Sequence, residues 1–508
     1  MTDTILPKQV NIPHEVTQVT SKLENAGFEA YLVGGCVRDI LMGLTPNDWD
    51  ITTNATPEEI TEIFEHSHYD NDYGTVRVVN DDTDDDSLKV IEVTTYRLEA
   101  EYSDSRRPDH VEFSDKLEDD LKRRDFTINA FALRVHEKHV SRDTSFSVSR
   151  ENLTDLFEGL HDLQSQLIRT VGDPDERFNE DALRILRAIR FSVQLNFHIE
   201  GHTLKAIADH ANQLENIAVE RIRDEFVKII MSDDPKTGIE VAHETGVLRY
   251  IIPELEEAID IEQNQAHAYT VWEHLLRSLQ GAADKGWPLE IRLAALLHDI
   301  AKPKTRRYDE EKGDFTFYGH EVVGSRVTRS ILTQLKFPNE LIETVTTFVR
   351  WHMFFSDPEK ITLSAVRRLI RNVGGDNVWD LMNLRVADRI GTGRPKEEPY
   401  RLRKYYAMIE EALRDPVSVE QLKIDGNRIM DVTGETPGPR LGWMLHALLE
   451  EVLDDPSLNT AEYLEKRTKE LSDLPDEELK KLGEQGKEAR ETAEQKEVRE
   501  IRDKFHVK

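Results

Sequence analysis

The chain has 508 residues, a formal net charge of −32, 38% hydrophobic residues and 32% charged residues. That is length for several domains and enough apolar material for real cores. Such acidity excludes a surface that clings everywhere to polyanions, although a local basic groove for RNA stays compatible with it. No run approaches the ~20 apolar residues of a membrane span. The first twenty residues lack the basic-then-apolar pattern of a signal peptide. Cys36 is the only cysteine, so no intrachain disulfide can form and a reducing, cytoplasmic setting is expected.

In chain order, residues 13–26 read as an amphipathic helix. Tyr31, Leu32 and Val33 favour a short buried strand. Gly34 and Gly35 then let the backbone turn sharply and approach a ligand. A helix over 37–42 follows, carrying Arg38 and Asp39, and the free N–H groups at its start suit a phosphate. Asp48 and Asp50 sit two apart in an extended segment, so both carboxylates are expected on one face. Paired carboxylates hold Mg²⁺ together with substrate phosphates, and two such ions clamp the attacking and leaving oxygens of a phosphoryl group. A glycine pair alone is a turn and an acid pair alone is a strand edge; their succession is what points to chemistry. Cys36 reads as a small buried side chain.

Thr56-Pro57-Glu58-Glu59 is a helix start, with a threonine cap, proline at the first position and glutamate at the third. Strands over 76–79 and 90–95 flank a polar loop at 80–87. Glu92 is either a third acid beside the pair or an exposed strand acid. The stretch Glu101-Tyr102-Ser103-Asp104-Ser105-Arg106-Arg107-Pro108 reads as a mobile loop. In Lys122-Arg123-Arg124-Asp125-Phe126-Thr127-Ile128-Asn129, an acid can bond a ribose hydroxyl while Arg and Asn hold triphosphate and sugar. The bland alternative is a structural ion pair.

After Asp173-Pro174 helical periodicity dominates and no convincing strand set appears. Glu180-Asp181-Ala182-Leu183-Arg184 reads as the opening of one helix, with Asp181 and Arg184 on a shared face. They form either an ion pair worth tenths of a kcal/mol or a donor–acceptor set matched to the edge of a base. Arg187 and Arg190 continue that basic face as candidate RNA contacts; further basic clusters lie at 367–371 and 401–404. His298 and Asp299 end an apolar helix, His274 lies upstream and Asp388 downstream. Imidazoles and carboxylates from different helices suit a divalent transition metal, and His320 and His352 offer ligands for a second ion. From about residue 461 the chain is rich in Glu and Lys, and 484–502 reads as a solvated helix or frayed tail.

The run from Tyr31 to Thr53 resembles the signature of the class II CCA-adding enzymes and bacterial poly(A) polymerases, Gly-Gly-x-Val-Arg-Asp followed by Asp-x-Asp. The family's Arg-Arg-Asp-Phe-Thr-x-Asn and Glu-Asp-x-x-Arg blocks also match, so the resemblance spans residues 29–226 in order. It implies an α/β nucleotidyltransferase head with a mixed sheet, followed by an all-α neck, an HD domain and C-terminal helices. The expected boundaries are 1–160, 161–250, 251–400 and 401–508. In the roles it implies, Asp48 and Asp50 hold Mg²⁺, while Gly34, Gly35, Arg38, Arg124 and Asn129 bind the nucleotide. Asp125 reads the ribose, and Asp181 with Arg184 templates CTP and ATP for addition of C, C and A to tRNA. The loop at 101–108 resembles the one that switches specificity from C to A; it is shortened in CC-adding relatives, which favours the complete activity. The His274, His298, Asp299, Asp388 set resembles the HD phosphohydrolases, and implies phosphatase or cyclic phosphodiesterase activity on RNA ends. The glycine-containing segments at 425–426 and 438–442 look like the family's C-terminal, tRNA-contacting hairpins. Two other readings stand beside this one: a poly(A) polymerase or A-adding enzyme, and an HD phosphohydrolase whose head merely binds nucleotide.

Overall fold

The computed structural model describes residues 10–69, 74–98, 112–135, 146–264, 268–353, 361–393 and 396–483. The chain divides into two units, 1–251 and 252–508. The loop at 101–108 and the tail at 484–508 lie outside the described residues, as do Arg106 and Arg107.

The first unit is built on a seven-stranded sheet. Its elements are α1 (His14–Asn25), β1 (Ala30–Val33), α2 (Gly35–Leu41), β2 (Asp50–Thr53), α3 (Pro57–Ile63), β3 (Ser67–Tyr69), β4 (Thr75–Val79), β5 (Val90–Thr95), α4 (Leu117–Lys122), β6 (Phe131–Leu133) and β7 (Leu153–Asp155). The strand order is β3-β4-β5-β2-β1-β6-β7. Only β2 and β5 pair in parallel; the other neighbours are antiparallel. Leu32, Ile51, Val76 and Val93 are fully buried along the central strands, as a sheet with a covered face requires. The Thr56 cap is realised: its side chain accepts from the Glu59 N–H while Glu59 returns the bond to the Thr56 N–H. Helices α5 (Gly159–Gln164) to α10 follow: α6 (Pro174–Glu180), α7 (Leu183–Leu195), α8 (Gly201–His210), α9 (Val219–Ile230) and α10 (Pro235–Glu244). A two-residue pairing of β8 (Leu167–Ile168) with β9 (His198–Ile199) ties α5 to the end of α7.

The second unit is helical: α11 (Pro253–Glu256), α12 (Val271–Asp284), α13 (Leu289–Leu297), α14 (Lys302–Thr305), α15 (His320–Gln334), α16 (Asn339–Trp351), α17 (Leu363–Val373), α18 (Val378–Gly391), α19 (Tyr400–Ala412), α20 (Gly426–Thr433), α21 (Pro439–Asp454) and α22 (Ala461–Ser472). The expected lack of strands after 173 needs correction, because besides β9 the chain forms an antiparallel hairpin of β10 (Arg307–Asp309) and β11 (Asp314–Thr316). Three-residue strands leave no alternation to read, and here Gly313 at φ +63° closes the turn. The basic cluster at 367–371 is largely spent on packing: Arg367 bonds Asp415 and the Leu453 carbonyl, and Arg368 bonds Glu450 and Asp454. Among the described residues, no helix is long and apolar enough to cross a membrane.

Candidate active site and candidate metal centre

The end of β1 and the start of β2 meet because the two strands are antiparallel, with Leu32 opposite Ile51. The glycine turn and Asp50 therefore arrive at the same edge of the sheet. Gly34 adopts φ +76°, and a Cβ there would stand 3.0 Å from Arg124 Nη1 and 3.6 Å from Asp50 Oδ2. Three separated motifs converge on one α-carbon, whose left-handed backbone favours glycine. Asp48 lies in an exposed bend just ahead of β2 rather than in the strand, with Trp49 buried between the two acids. Burial lifts the Asp50 carboxyl to about 6; Arg124 opposes this, while Glu92 and Asp48 push it further up. Glu92 is the register partner of Asp50 on β5, and Arg77 Nε contacts its carboxylate at 3.3 Å. Cys36 is buried, donates to the Val33 carbonyl, and burial pushes its thiol up to about 12, which leaves it inert as a nucleophile.

A second layer of polar contacts lies under the turn. Arg38 is 9% exposed, with Nη1 donating to Asn129 Oδ1 at 2.9 Å and Nη2 to Asp39 at 2.7 Å. Asn129 donates onward to Asp125 Oδ1, and Arg187 Nε donates to Asp125 Oδ2 at 2.7 Å. Burial alone would raise the Asp125 carboxyl, but Arg187, Arg184 and Asn129 hold it at about 2. A group depressed in the fold contributes stability above its unfolded value that is lost as pH falls from about 4 towards 2. Arg187→Gln should thus destabilise the protein by roughly 2–3 kcal/mol at pH 7, and urea titrations should show that penalty shrinking below pH 4.

Asp181 and Arg184 are not on one helix. Asp181 terminates α6 in extended backbone, and its Oδ1 caps the Leu183 N–H at the start of α7. The sequence across this break contains neither Gly nor Pro, so nothing local announces it. Asp181 Oδ2 accepts from Arg221 at 2.8 Å, while Arg184 bonds Glu180 and the carbonyls of Arg177 and Arg123. Arg184 Nη2 meets the Arg123 carbonyl at 2.8 Å, next to the Arg124–Asp125 pair. Of the two arginines expected to contact RNA, Arg190 is buried and paired, whereas Arg187 keeps 34% of its side chain exposed beside its bond to Asp125. Arg190 is 6% exposed and clasps Glu225 of α9 at 2.9 Å. Asp120 was not anticipated: fully buried, it bonds both Arg123 and Arg124 and so holds Arg124 beside the turn. Its spacing of three and four residues to those arginines is the signal that betrays it.

In the second unit six side chains converge. His274 Nε2 and His298 Nε2 approach to 2.9 Å, and His274 Nε2 is 3.4 Å from Asp388 Oδ1. His320 Nε2 and His352 Nε2 stand 3.2 Å apart, with Asp299 Oδ1 3.1 Å from His320. Asp299 Oδ2 faces His274 and His298, each at 3.2 Å, so its two oxygens address the two groups. All six residues are buried, and the two triads are His274–His298–Asp388 and Asp299–His320–His352. Among the described residues no comparable triad forms around Asp48, Asp50 and Glu92. The Nδ1 atoms of His298, His320 and His352 face the carbonyls of Ala295, Phe317 and Val349, which orients each Nε2 inward. Burial depresses His352 to about 4, the neutral form in which imidazole binds a metal. Lone pairs this close repel unless a cation or a proton sits among them, so the donor set fits divalent metal. Lys302, 2.6 Å from Asp299 and 2.5 Å from Gln263, and Arg385, bonded to Asp388, counter the two buried carboxylates.

Comparison with known proteins follows this division. Residues 30–169 match the poly A polymerase head domain, 196–259 the probable RNA and SrmB-binding site of polymerase A, and 271–391 the HD domain. A CCA-adding enzyme of Leuconostoc mesenteroides is 34% identical over 461 residues, covering 89% of this chain and 95% of the relative. The chain belongs to the CCA-adding enzyme family. A CCA-adding enzyme of Limosilactobacillus reuteri is also 34% identical, over 89% of this chain and 96% of its own. The fold is that of the Bacillus stearothermophilus CCA-adding enzyme crystallised with CTP, at a TM-score of 0.66 and 24% identity over 90% and 96% of the two chains. As a CCA-adding enzyme the chain is a nucleotidyltransferase with a mixed-sheet head and helical domains behind it.

Proposed function

We propose that this enzyme adds C, C and A to the 3′ end of tRNA from CTP and ATP without a nucleic-acid template, in the cytoplasm. The observation that carries the reading is the convergence of Asp50, Arg124 and the bare α-carbon of Gly34 at one sheet edge, in a chain of this family. Asp48 and Asp50 would hold Mg²⁺; burial first, and then the neighbouring acids Glu92 and Asp48, lift the Asp50 carboxyl, an environment that a hard cation relieves. When bound, Mg²⁺ would supply charge neutralisation at the triphosphate. Gly34 and Gly35 leave the backbone open to the triphosphate, Arg124 faces it, and Asp125, fixed by Arg187 and Asn129, meets the ribose. Arg38 serves by orienting Asn129.

Base choice falls to Asp181 and Arg184. Each trades a protein partner, Arg221 for the first and Glu180 for the second, for the edge of cytosine or adenine. Asp181→Ala should lower the preference for CTP over UTP roughly 10-fold, measured as the ratio of kcat/KM values on trimmed tRNA. The product test is sequencing of tRNA lacking its terminus after incubation with CTP and ATP together. Ends of CCA support the proposal; A alone, or a run of A, would replace it with the A-adding or poly(A) reading.

The second unit carries a second reading. We propose a phosphohydrolase dependent on a divalent transition metal, held by His274, His298, Asp299 and Asp388 with His320 and His352, that removes terminal or cyclic phosphates from RNA ends. The buried two-triad donor set supports it.

A further inference from the structure

A cavity of about 620 Å³ opens on the metal centre, within the range of small-ligand sites. Its walls are chemically unequal. Asp299, His320 and His352 line it, and Lys302 and Arg385 there offset Asp299 and Asp388, so a bound metal would supply the charge that holds an anion. Tyr318 and Met353 also line it, yet stay 63% and 53% exposed. Each of these apolar side chains is tied in sequence to a ligand of the second triad. Met353 directly follows His352, and Tyr318 precedes His320 by two residues, with Gly319 at φ +75° between them. That left-handed residue turns the backbone so that His320 faces inward while Tyr318 remains at the rim. Lys312 of the β10–β11 hairpin donates to the Tyr318 hydroxyl at the solvent side, leaving the ring face open.

We propose that Tyr318 is a specificity-determining residue: its ring stacks on the nucleobase of a nucleoside phosphate whose phosphate lies at the metal centre. The assignment rests on the phosphohydrolase reading of that centre and adds to it what distinguishes a nucleotide from any other phosphate ester. An exposed aromatic at the mouth of a cavity floored by the second triad fits a ligand with a planar ring at one end and, at the other, an anion that a bound metal would hold. The shared chemistry is a terminal nucleoside phosphate, whether free or at an RNA end.

The test compares full-length wild type, Tyr318→Ala and Tyr318→Phe on adenosine 2′-monophosphate and on glycerol 2-phosphate, with Mn²⁺ supplied. In Tyr318→Ala the KM for the adenosine ester should rise on the order of 10-fold with kcat unchanged. The KM for the glycerol ester should not move, and Tyr318→Phe should behave as wild type. A readout free of turnover accompanies it: in chelator-treated protein, adenosine 2′-monophosphate should slow hydrogen exchange across residues 314–321 of wild type but not of Tyr318→Ala. Equal KM changes for both esters, or no protection in wild type, overturn the proposal. If metal-loaded wild type cleaves neither ester the phosphohydrolase reading falls, and the exchange comparison still decides base stacking. A short RNA ending in a 2′-phosphate separates the sources. A KM raised in parallel assigns RNA ends and an unchanged one assigns free nucleotides; both support the stacking role, given the effect on the adenosine ester.

Discussion

Asp50→Asn should abolish nucleotide incorporation, by on the order of 10³-fold or more in kcat, while leaving the protein at least as stable as wild type. The two halves of this expectation have one cause. Asparagine keeps the shape of aspartate and removes only the charge, so the central β1–β2 pairing of Leu32 with Ile51 is undisturbed. The charge itself is costly where it stands, since burial and the neighbouring acids lift the Asp50 carboxyl to about 6. A carboxyl whose folded value exceeds its unfolded value makes the fold bind the extra proton, and stability falls as pH rises from about 4 through about 6. The asparagine variant has no such loss. Its advantage should be absent below pH 4, grow across that window, and level off above pH 6 at about 1–3 kcal/mol. Denaturant melts at pH 4, 5, 6 and 8 in Mg²⁺-free buffer, beside incorporation of labelled CTP into trimmed tRNA, measure both halves. Retained incorporation would dismiss Asp50 as a metal-holding acid. Lost incorporation with a pH-independent loss of stability would recast it as a structural residue.

What the residues disclosed and what they hid follow the reach of the interactions. The glycine turn and the α3 cap depend on neighbours within four residues, and the apolar run of β1 is local although its partners are not, so all three could be read from the chain. The order of motifs placed Asp50, Arg124 and Gly34 together because a resemblance supplied the fold; no local rule brings residue 124 to residue 34. The Arg190–Glu225 clasp spans 35 positions, and a run of arginines at helical spacing looks the same whether it faces RNA or a buried glutamate. Asp181 is the mirror case. Three-residue spacing to Arg184 suggested one helical face, but an aspartate that caps the following helix with its own side chain ends the preceding one without Gly or Pro. In the second unit His274, His298, Asp299 and Asp388 were recognisable by order, whereas Lys302 took on meaning only once its ammonium stood 2.6 Å from Asp299.

Metal binding to the second unit should be visible as stability before it is visible as chemistry. Six buried candidate ligands, with Nε2 atoms 2.9 and 3.2 Å apart, are brought together by α12, α13, α15, α16 and α18 and the turns that follow them. A cation among them replaces repulsion between lone pairs with coordination, and by linkage it stabilises only the state in which the ligands are assembled. At a hundredfold excess over Kd the gain is about 2.7 kcal/mol per site. Chelator-treated protein titrated with Mn²⁺, Ni²⁺ or Zn²⁺ should therefore unfold at higher temperature. Two ions per chain are expected, since the two oxygens of Asp299 face different triads. His298→Ala removes one ligand from the first triad at a residue that is fully buried. It should lose the first ion, its share of the thermal shift and the hydrolysis of phosphate esters. CCA addition should persist, because the acids at the sheet edge belong to the other unit. A thermal shift of equal size in wild type and His298→Ala would place the bound ion elsewhere. Loss of nucleotide incorporation in that variant, with the first unit still folded by its own denaturant transition, would mean that the metal centre and the polymerising site do not act independently.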